Sequence, residues 1–265
     1  MNSISKKPEK CVVCNSRLTA YVRDVPTIRL DRMLPLFYCL ECESFSNPSG
    51  FTPSKEAGEM ELKFHIKIEE RNTKRSHALL SAILERYKNV SSIIEIGCGT
   101  GIMIKAAKDL GLQAVGYDIN EAAIEYGKKN FGADLRAELW DPQKQIEKVD
   151  LIFCIMVLEH LENPRPLVFQ MAEAAKKYNA KIFVSVPFLN RDRWHFILNP
   201  DPKVPNTPFF NNDVHVTHFS RKGMEKLAKE AGATNVTYVG SMVSKDEKGW
   251  GGLVFDFSPQ PMTSV

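Results

Sequence analysis

Apolar and polar positions change their period several times along the chain, and each change marks an element. SSIIEI at 91–96 is a short apolar run that predicts a strand, and GIMIKAAKDLG at 101–111 predicts a helix closed by Gly111. QAVGYD at 113–118 reads as a second strand, NEAAIEYGKKNFG as the helix after it, and RAEL near 136–139 as a brief third strand. DLIFCI at 150–155 and KIFVSV at 181–186 are almost wholly apolar, the pattern of strands covered on both faces, with a helix over 164–178 between them. SRKGMEKLAKEAG at 220–232 predicts a further helix, and TNVTYVG and GGLVFDF predict two late strands. Strand and helix in such regular succession predict an α/β fold built on a parallel, helix-covered sheet with right-handed crossovers.

Upstream the pattern is different. Residues 59–88 place Leu62, Ile66, Ile68, Leu79, Leu80, Ile83, Leu84 and Tyr87 mostly at helical spacing, with a charged centre, KIEERNTKRSH, that reads as a solvated face or as a break between two helices. FSNPSGFTPSKEAG, from Phe45 to Gly58, is punctuated by proline, glycine and serine and predicts a linker or a substrate-side loop. Before it, alternating positions at Leu18, Ala20 and Val22, and again at Leu36 and Tyr38, predict hairpin strands.

Those strands lie between two CxxC pairs, Cys11 with Cys14 and Cys39 with Cys42, separated by 24 residues. Two such knuckles place four thiolates at the corners of a tetrahedron around Zn2+ and leave no coordination position for water, so the expected role is structural. A module this short cannot bury enough apolar surface alone and needs such a staple. Arg17, Arg23, Arg29 and Arg32 between the knuckles admit RNA contact, although an ordinary solvated surface is the favoured account of them.

Composition narrows the field without choosing a partner. With 265 residues, 43% of them hydrophobic, the chain has material for one substantial core and a small appendage. Lysine and arginine number 35 against 32 aspartates and glutamates, and four zinc-bound thiolates would bring the formal +3 to about +1. Global charge therefore gives no argument for nucleic acid or an anionic membrane. No run of about 18 apolar residues occurs and no signal-peptide stretch follows the start, so neither spanning nor secretion is expected. Cysteines used as thiolates point to a reducing, cytoplasmic setting.

The chemistry concentrates where the first strand of the alternating region runs into EIGCGTG. Gly97, Gly99 and Gly101 let the chain turn sharply and bring backbone amides close to a ligand. Asp118 ends the next strand 17 residues after Gly101, where a carboxylate can accept hydrogen bonds from vicinal ribose hydroxyls. The dinucleotide spacing GxGxxG is absent. With EIGCGTG, GYDIN, the Trp140–Asp141 pair and FCIMVLEHLENP in this order, the chain from about residue 60 to 257 resembles the class I S-adenosylmethionine-dependent methyltransferases.

That resemblance implies a Rossmann-like sheet of seven strands, order 3-2-1-4-5-7-6 with the seventh antiparallel, following the small four-cysteine zinc ribbon. It implies that Gly97, Gly99 and Gly101 cradle the methionine end of S-adenosylmethionine and that Asp118 binds its ribose. Ile119, Trp140 and Asp141 would flank its adenine, and Glu95 would support the loop or the ammonium group. It also implies an acceptor near the loop after the fourth strand. His160 in VLEHLENP is the first candidate for a base there, since an imidazole titrates near neutral pH.

Related quinone-biosynthesis O-methyltransferases carry an acidic-x-x-Glu-His motif in this loop, associated with a divalent ion. Met156 occupies the first acidic position here, and a thioether is a poor magnesium ligand, so metal-free acceptor activation is expected. The stretch 187–219 is long, proline-rich and aromatic, and reads as an acceptor lid that adds His195 and His218 to the catalytic candidates. The expected organisation is thus a zinc ribbon over 1–50, a linker and helical cap over 51–88, and a methyltransferase domain over 89–265 with the lid inside it. The expected activity is methyl transfer to O, N or C of a small-molecule acceptor. Two alternatives stay open: an RNA or protein methyltransferase that uses the ribbon for recognition, and a non-catalytic cofactor-binding scaffold.

Overall fold

A computed structural model describes residues 8–26, 33–47, 55–144, 148–189, 215–239 and 252–258. Contacts divide the chain into two units, the first made of Met1–Thr52, Met156–Phe169 and Val186–Ala231, the second of Pro53–Ile155, Gln170–Ser185 and Gly232–Val265. This grouping by proximity interleaves along the chain, unlike the linear division read from the sequence.

The first unit is an antiparallel sheet of four strands: β1 (Thr19–Pro26), β2 (Met33–Cys39), β3 (Phe45–Ser46) and β9 (Thr217–His218), in that order. The hairpin of β1 and β2 follows from the alternation noted above, with a register irregularity between Tyr21 and Arg23. β9 arrives from more distant sequence and pairs Phe45 with His218 and Ser46 with Thr217. Val25, Leu34, Leu36 and Phe45 form its small apolar core. Such a core supplies little stability on its own. It is extended by a helix, here called α6 (Arg221–Glu230), whose N-cap Ser220 accepts the Gly223 amide at 2.8 Å.

The second unit contains α1 (Lys55–Lys67) and α2 (Glu69–Arg86). The charged centre is therefore a break: Ile68 separates the helices, its amide reaching the carbonyls of both Phe64 and His65 at 3.2 Å. Its sheet holds β4 (Ser92–Ile96), β5 (Gln113–Asp118), β6 (Leu135–Ala137), β7 (Leu151–Ile155), β8 (Lys181–Ser185), β10 (Asn235–Val239) and β11 (Gly252–Asp256). The order is β10-β11-β8-β7-β4-β5-β6. Counted within this sheet it is the expected 3-2-1-4-5-7-6, with β11 antiparallel to both neighbours and the five strands from β8 to the edge strand β6 parallel. α3 (Ile102–Asp109), α4 (Glu121–Phe131) and α5 (Arg165–Tyr178) follow β4, β5 and β7 in the chain.

β7 is buried at every position, as its unbroken apolar run requires. Leu79, Leu80 and Ile83 project from one face of α2 into a core with Ile93, Met103, Ile104, Phe153 and Phe183. The Phe153 and Phe183 rings lie 5.5 Å apart. The third strand ends at Ala137, short of the expected Leu139, which is 79% exposed and has no core to face.

Candidate functional site

The carboxyl end of β4 opens into the glycine turn, and all three glycines adopt positive φ: 72° at Gly97, 53° at Gly99 and 77° at Gly101. L-residues with a β-carbon rarely enter that region, which explains the spacing physically. The turn is backed by α4, which approaches so closely that a β-carbon on Gly127 would stand 2.2 Å from the Thr100 carbonyl oxygen. Asp118 closes the turn from β5: its Oδ2 accepts the Gly99 amide at 2.8 Å, and its Oδ1 accepts the Asn120 amide at 2.8 Å. A carboxylate has about four acceptor positions, so capacity for two hydroxyls remains. His65 from α1 lies over the same turn, 3.0 Å from where a β-carbon of Gly99 would be.

Beneath the turn, Glu95 is 6% exposed and its Oε2 has no hydrogen-bond partner. Burial, helped by the nearby charge of Asp118, holds its carboxyl well above the ordinary range. Burial, together with Glu95, likewise pushes up the Cys98 thiol. Trp140 is buried with its indole Nε1 lacking a partner, Ile119 is 58% exposed, and Asp141 accepts the Gln143 amide at 2.9 Å. Glu95 Oε2 and Trp140 Nε1, both buried and unpartnered, fit a polar ligand that supplies both an ammonium group and a heteroaromatic ring. S-adenosylmethionine has both.

In the first unit the four cysteines converge. Their sulfurs lie within 4.8 Å of one another, with Cys11 to Cys42 and Cys14 to Cys39 each at 3.6 Å. A disulfide would need about 2.05 Å, whereas a tetrahedron with zinc–sulfur bonds of about 2.3 Å has edges near 3.8 Å. The donor set therefore fits Zn2+ in a closed structural site. A hydrogen bond from Cys42 pulls the Cys11 thiol down to about 5 and correspondingly raises Cys42, while burial pushes Cys14 up to about 11.

The first unit also contains the turn Leu158–His160, entered through Met156 with φ of 56°, a conformation that strains a residue with a side chain. Glu159 is 1% exposed, and neither of its carboxylate oxygens has a hydrogen-bond partner. Burial pushes its carboxyl up to about 8. His160, exposed, stands edge-on to His215 with ring centroids 4.8 Å apart. His215-x-x-His218 is by itself a weak spacing for a metal, and only the fold brings His215 here. The signal was faint: the imidazole sits two residues before a strand too short to show a period. His218 is buried in β9 and lies outside this cluster, and His195 falls outside the described residues, as does most of the expected lid.

Among the described residues, no helix is long and apolar enough to cross a membrane. The model of a family described as a methyltransferase domain matches residues 68–238. Over 101 residues the chain is 33% identical to the mitochondrial ubiquinone biosynthesis O-methyltransferase of Schizosaccharomyces pombe, a match covering 35% of this chain and 36% of that protein. Over 104 residues it is 36% identical to ribosomal protein L11 methyltransferase of Neisseria meningitidis, covering 37% and 33%. The chain thus spans about a third of the length of these curated relatives. Among solved structures, the plantazolicin methyltransferase BpumL in complex with a pentazolic desmethylPZN analog and SAH superposes with a TM-score of 0.53 at 19% identity, covering 74% of this chain and 90% of that one. At that identity the likeness is one of fold.

Proposed function

Because the chain belongs to the methyltransferase-domain family, we propose that it methylates a small-molecule acceptor with S-adenosylmethionine as donor. The observation that carries this reading is the glycine turn closed by Asp118 at the carboxyl ends of β4 and β5, in a sheet of order 3-2-1-4-5-7-6. When bound, S-adenosylmethionine supplies a methyl group on a positively charged sulfur, open to in-line attack.

The chain's own residues then hold and orient. Gly97, Gly99 and Gly101, whose own amides are taken by Tyr117, Asp118 and Cys98, let the methionine end approach the turn where a β-carbon would exclude it. Asp118 accepts from the ribose hydroxyls, and Ile119, Trp140 and Asp141 border the adenine, with the Trp140 Nε1 as donor. Burial penalises a lone Glu95 carboxylate, and an ammonium group opposite it would offset that penalty. Fixing donor and acceptor in one geometry lowers much of the barrier to displacement. On the acceptor side His160 is our activating residue, with His195 and His218 completing the candidate set. The four cysteines hold structural zinc, in keeping with a reducing cytoplasmic compartment.

The functional division follows the linear one: ribbon 1–50, cap 51–88, and catalytic domain 89–265 with a lid at 187–219. A small acceptor is favoured because the formal charge of +3 is too small a basic excess to argue for nucleic acid. The test is methyl transfer from labelled S-adenosylmethionine to a broad metabolite library, in parallel with bulk RNA and protein. Label in a metabolite supports the reading; label confined to RNA or protein overturns the choice of acceptor, and saturable donor binding with no product in any class returns the chain to a scaffold.

A further inference from the structure

Glu159, His160 and His215 offer one carboxylate and two imidazoles whose ligand atoms all lie within 4.8 Å of one another. Glu159 is the decisive member. A carboxylate that is 1% exposed with both oxygens unpartnered is penalised by desolvation unless something compensates it. A cation would.

The arrangement is held by backbone and does not rest on side-chain rotamers alone. The Val216 amide donates to the Glu159 carbonyl at 2.8 Å, the Thr217 hydroxyl donates to the Leu161 carbonyl at 2.8 Å, and the Asn47 amide donates to the Val216 carbonyl at 2.9 Å. The residue next to His215 is therefore stitched both to the turn that carries Glu159 and His160 and to the strand that leaves the cysteine cluster. Such a ladder fixes where the second imidazole stands.

We propose that Glu159, His160 and His215 form a second metal site, for a divalent transition ion of which Zn2+ is the type case. Two imidazoles and one carboxylate suit zinc, iron or nickel better than magnesium, which prefers oxygen ligands and keeps its waters. The set differs from the all-acidic-plus-His pattern that Met156 interrupts, because its third ligand comes from residue 215, outside the VLEHLENP loop altogether. Three protein ligands leave a coordination position open, the arrangement of catalytic and not of structural zinc. Resting on the methyltransferase reading, this makes His160 a metal ligand and assigns the open position to an oxygen donor of the acceptor, such as a hydroxyl or carboxylate.

The experiment is equilibrium dialysis of the full chain against Zn2+ alone, with metal content and S-adenosylmethionine affinity measured on the same samples. Wild type is expected to hold two zinc ions per chain, and Glu159→Gln and His215→Ala one each, with unchanged melting temperature for the zinc-loaded first unit. In Co2+-substituted protein, the His215→Ala variant should lose the ligand-field bands of an N/O site and keep the sulfur-to-metal charge-transfer band of the thiolate site. One zinc in wild type, or two in both variants, overturns the proposal. One zinc with normal S-adenosylmethionine affinity removes the second site and leaves the methyltransferase reading standing; two zincs without donor affinity does the reverse.

Discussion

The two units reach their candidate sites by opposite routes. In the second, the glycine turn and the carboxylate that closes it lie between Glu95 and Asp118, on one strand–helix–strand unit, hydrogen-bonded across 19 residues. In the first, three separated stretches of chain meet: Ser220 donates to the Cys42 carbonyl across 178 residues, and Lys222 pairs with Glu43 at 2.6 Å. A short-range site survives wherever its local unit folds. A long-range site exists only while the whole unit is assembled, and here the expected fastening is the four thiolates around a metal.

The sharpest way to break this contrast is Cys39→Ser. Structural zinc contributes folding free energy directly, on the order of 10 kcal/mol in isolated zinc modules. Loss of zinc should unfasten β3, β9 and the start of α6 together, removing His215 from Glu159, while the glycine turn stays formed. Zinc content together with hydrogen exchange over 215–224 checks it. Full zinc retention, or protection at Val216 that outlives the metal, would show that the long-range site does not depend on the cluster.

The converse variant is Phe183→Ala. Phe183 is fully buried against Phe153, and truncating such a ring costs about 3–5 kcal/mol. Chemical denaturation should show a destabilised second unit at unchanged zinc stoichiometry. Next comes Asp118→Ala, which removes the carboxylate under the turn together with the proposed ribose acceptor. Charged hydrogen bonds are worth about 1.5–3 kcal/mol each, so S-adenosylmethionine should bind at least about tenfold more weakly by calorimetry, with zinc unaffected. Unchanged affinity would undo the ribose assignment.

The same contrast governs what could be read from sequence. Apolar period gave every strand of the second unit to within two residues, because βαβ units are local and their strands are covered on both faces. The cysteine cluster was legible although its members lie far apart, because CxxC spacing is itself a ligand geometry. What period could not give was β9: two residues carry no alternation, and Thr217 and His218 owe their pairing to Phe45 and Ser46, more than 170 positions earlier. The partners of His215 were out of reach for the same reason, and Ser220, read only as the start of a helix, proved to be both its cap and a donor to the cysteine knuckle. Glu159 was read as part of a motif, yet its significance lies in burial without partners, and that is a property of the fold.

The smallest effect expected belongs to Asp150, and its sign is fixed. Its Oδ2 accepts the amides of Ser91 and Ser92 at 2.9 and 3.1 Å and both their hydroxyls at 2.7 and 3.0 Å, and Lys148 lies 3.0 Å from its Oδ1. Burial works to raise this carboxyl, but those donors prevail and hold it well below the ordinary range. A depressed folded value means that the unfolded chain binds the proton more tightly. The stabilisation is therefore complete above the unfolded value of about 3.9 and is lost as pH falls toward the folded one. Asp150→Asn should cost about 1–2 kcal/mol at neutral pH. Its deficit in thermal melts should stay level from pH 7 to 5 and shrink below about pH 4. Because Asp150 ties the starts of β4 and β7 within one unit, the zinc content should not change at any of these pH values above the range where thiolates themselves take up protons. A deficit that instead grew on acidification would mean that the carboxylate is not the stabilising form, and that the join between β4 and β7 rests on the sheet alone.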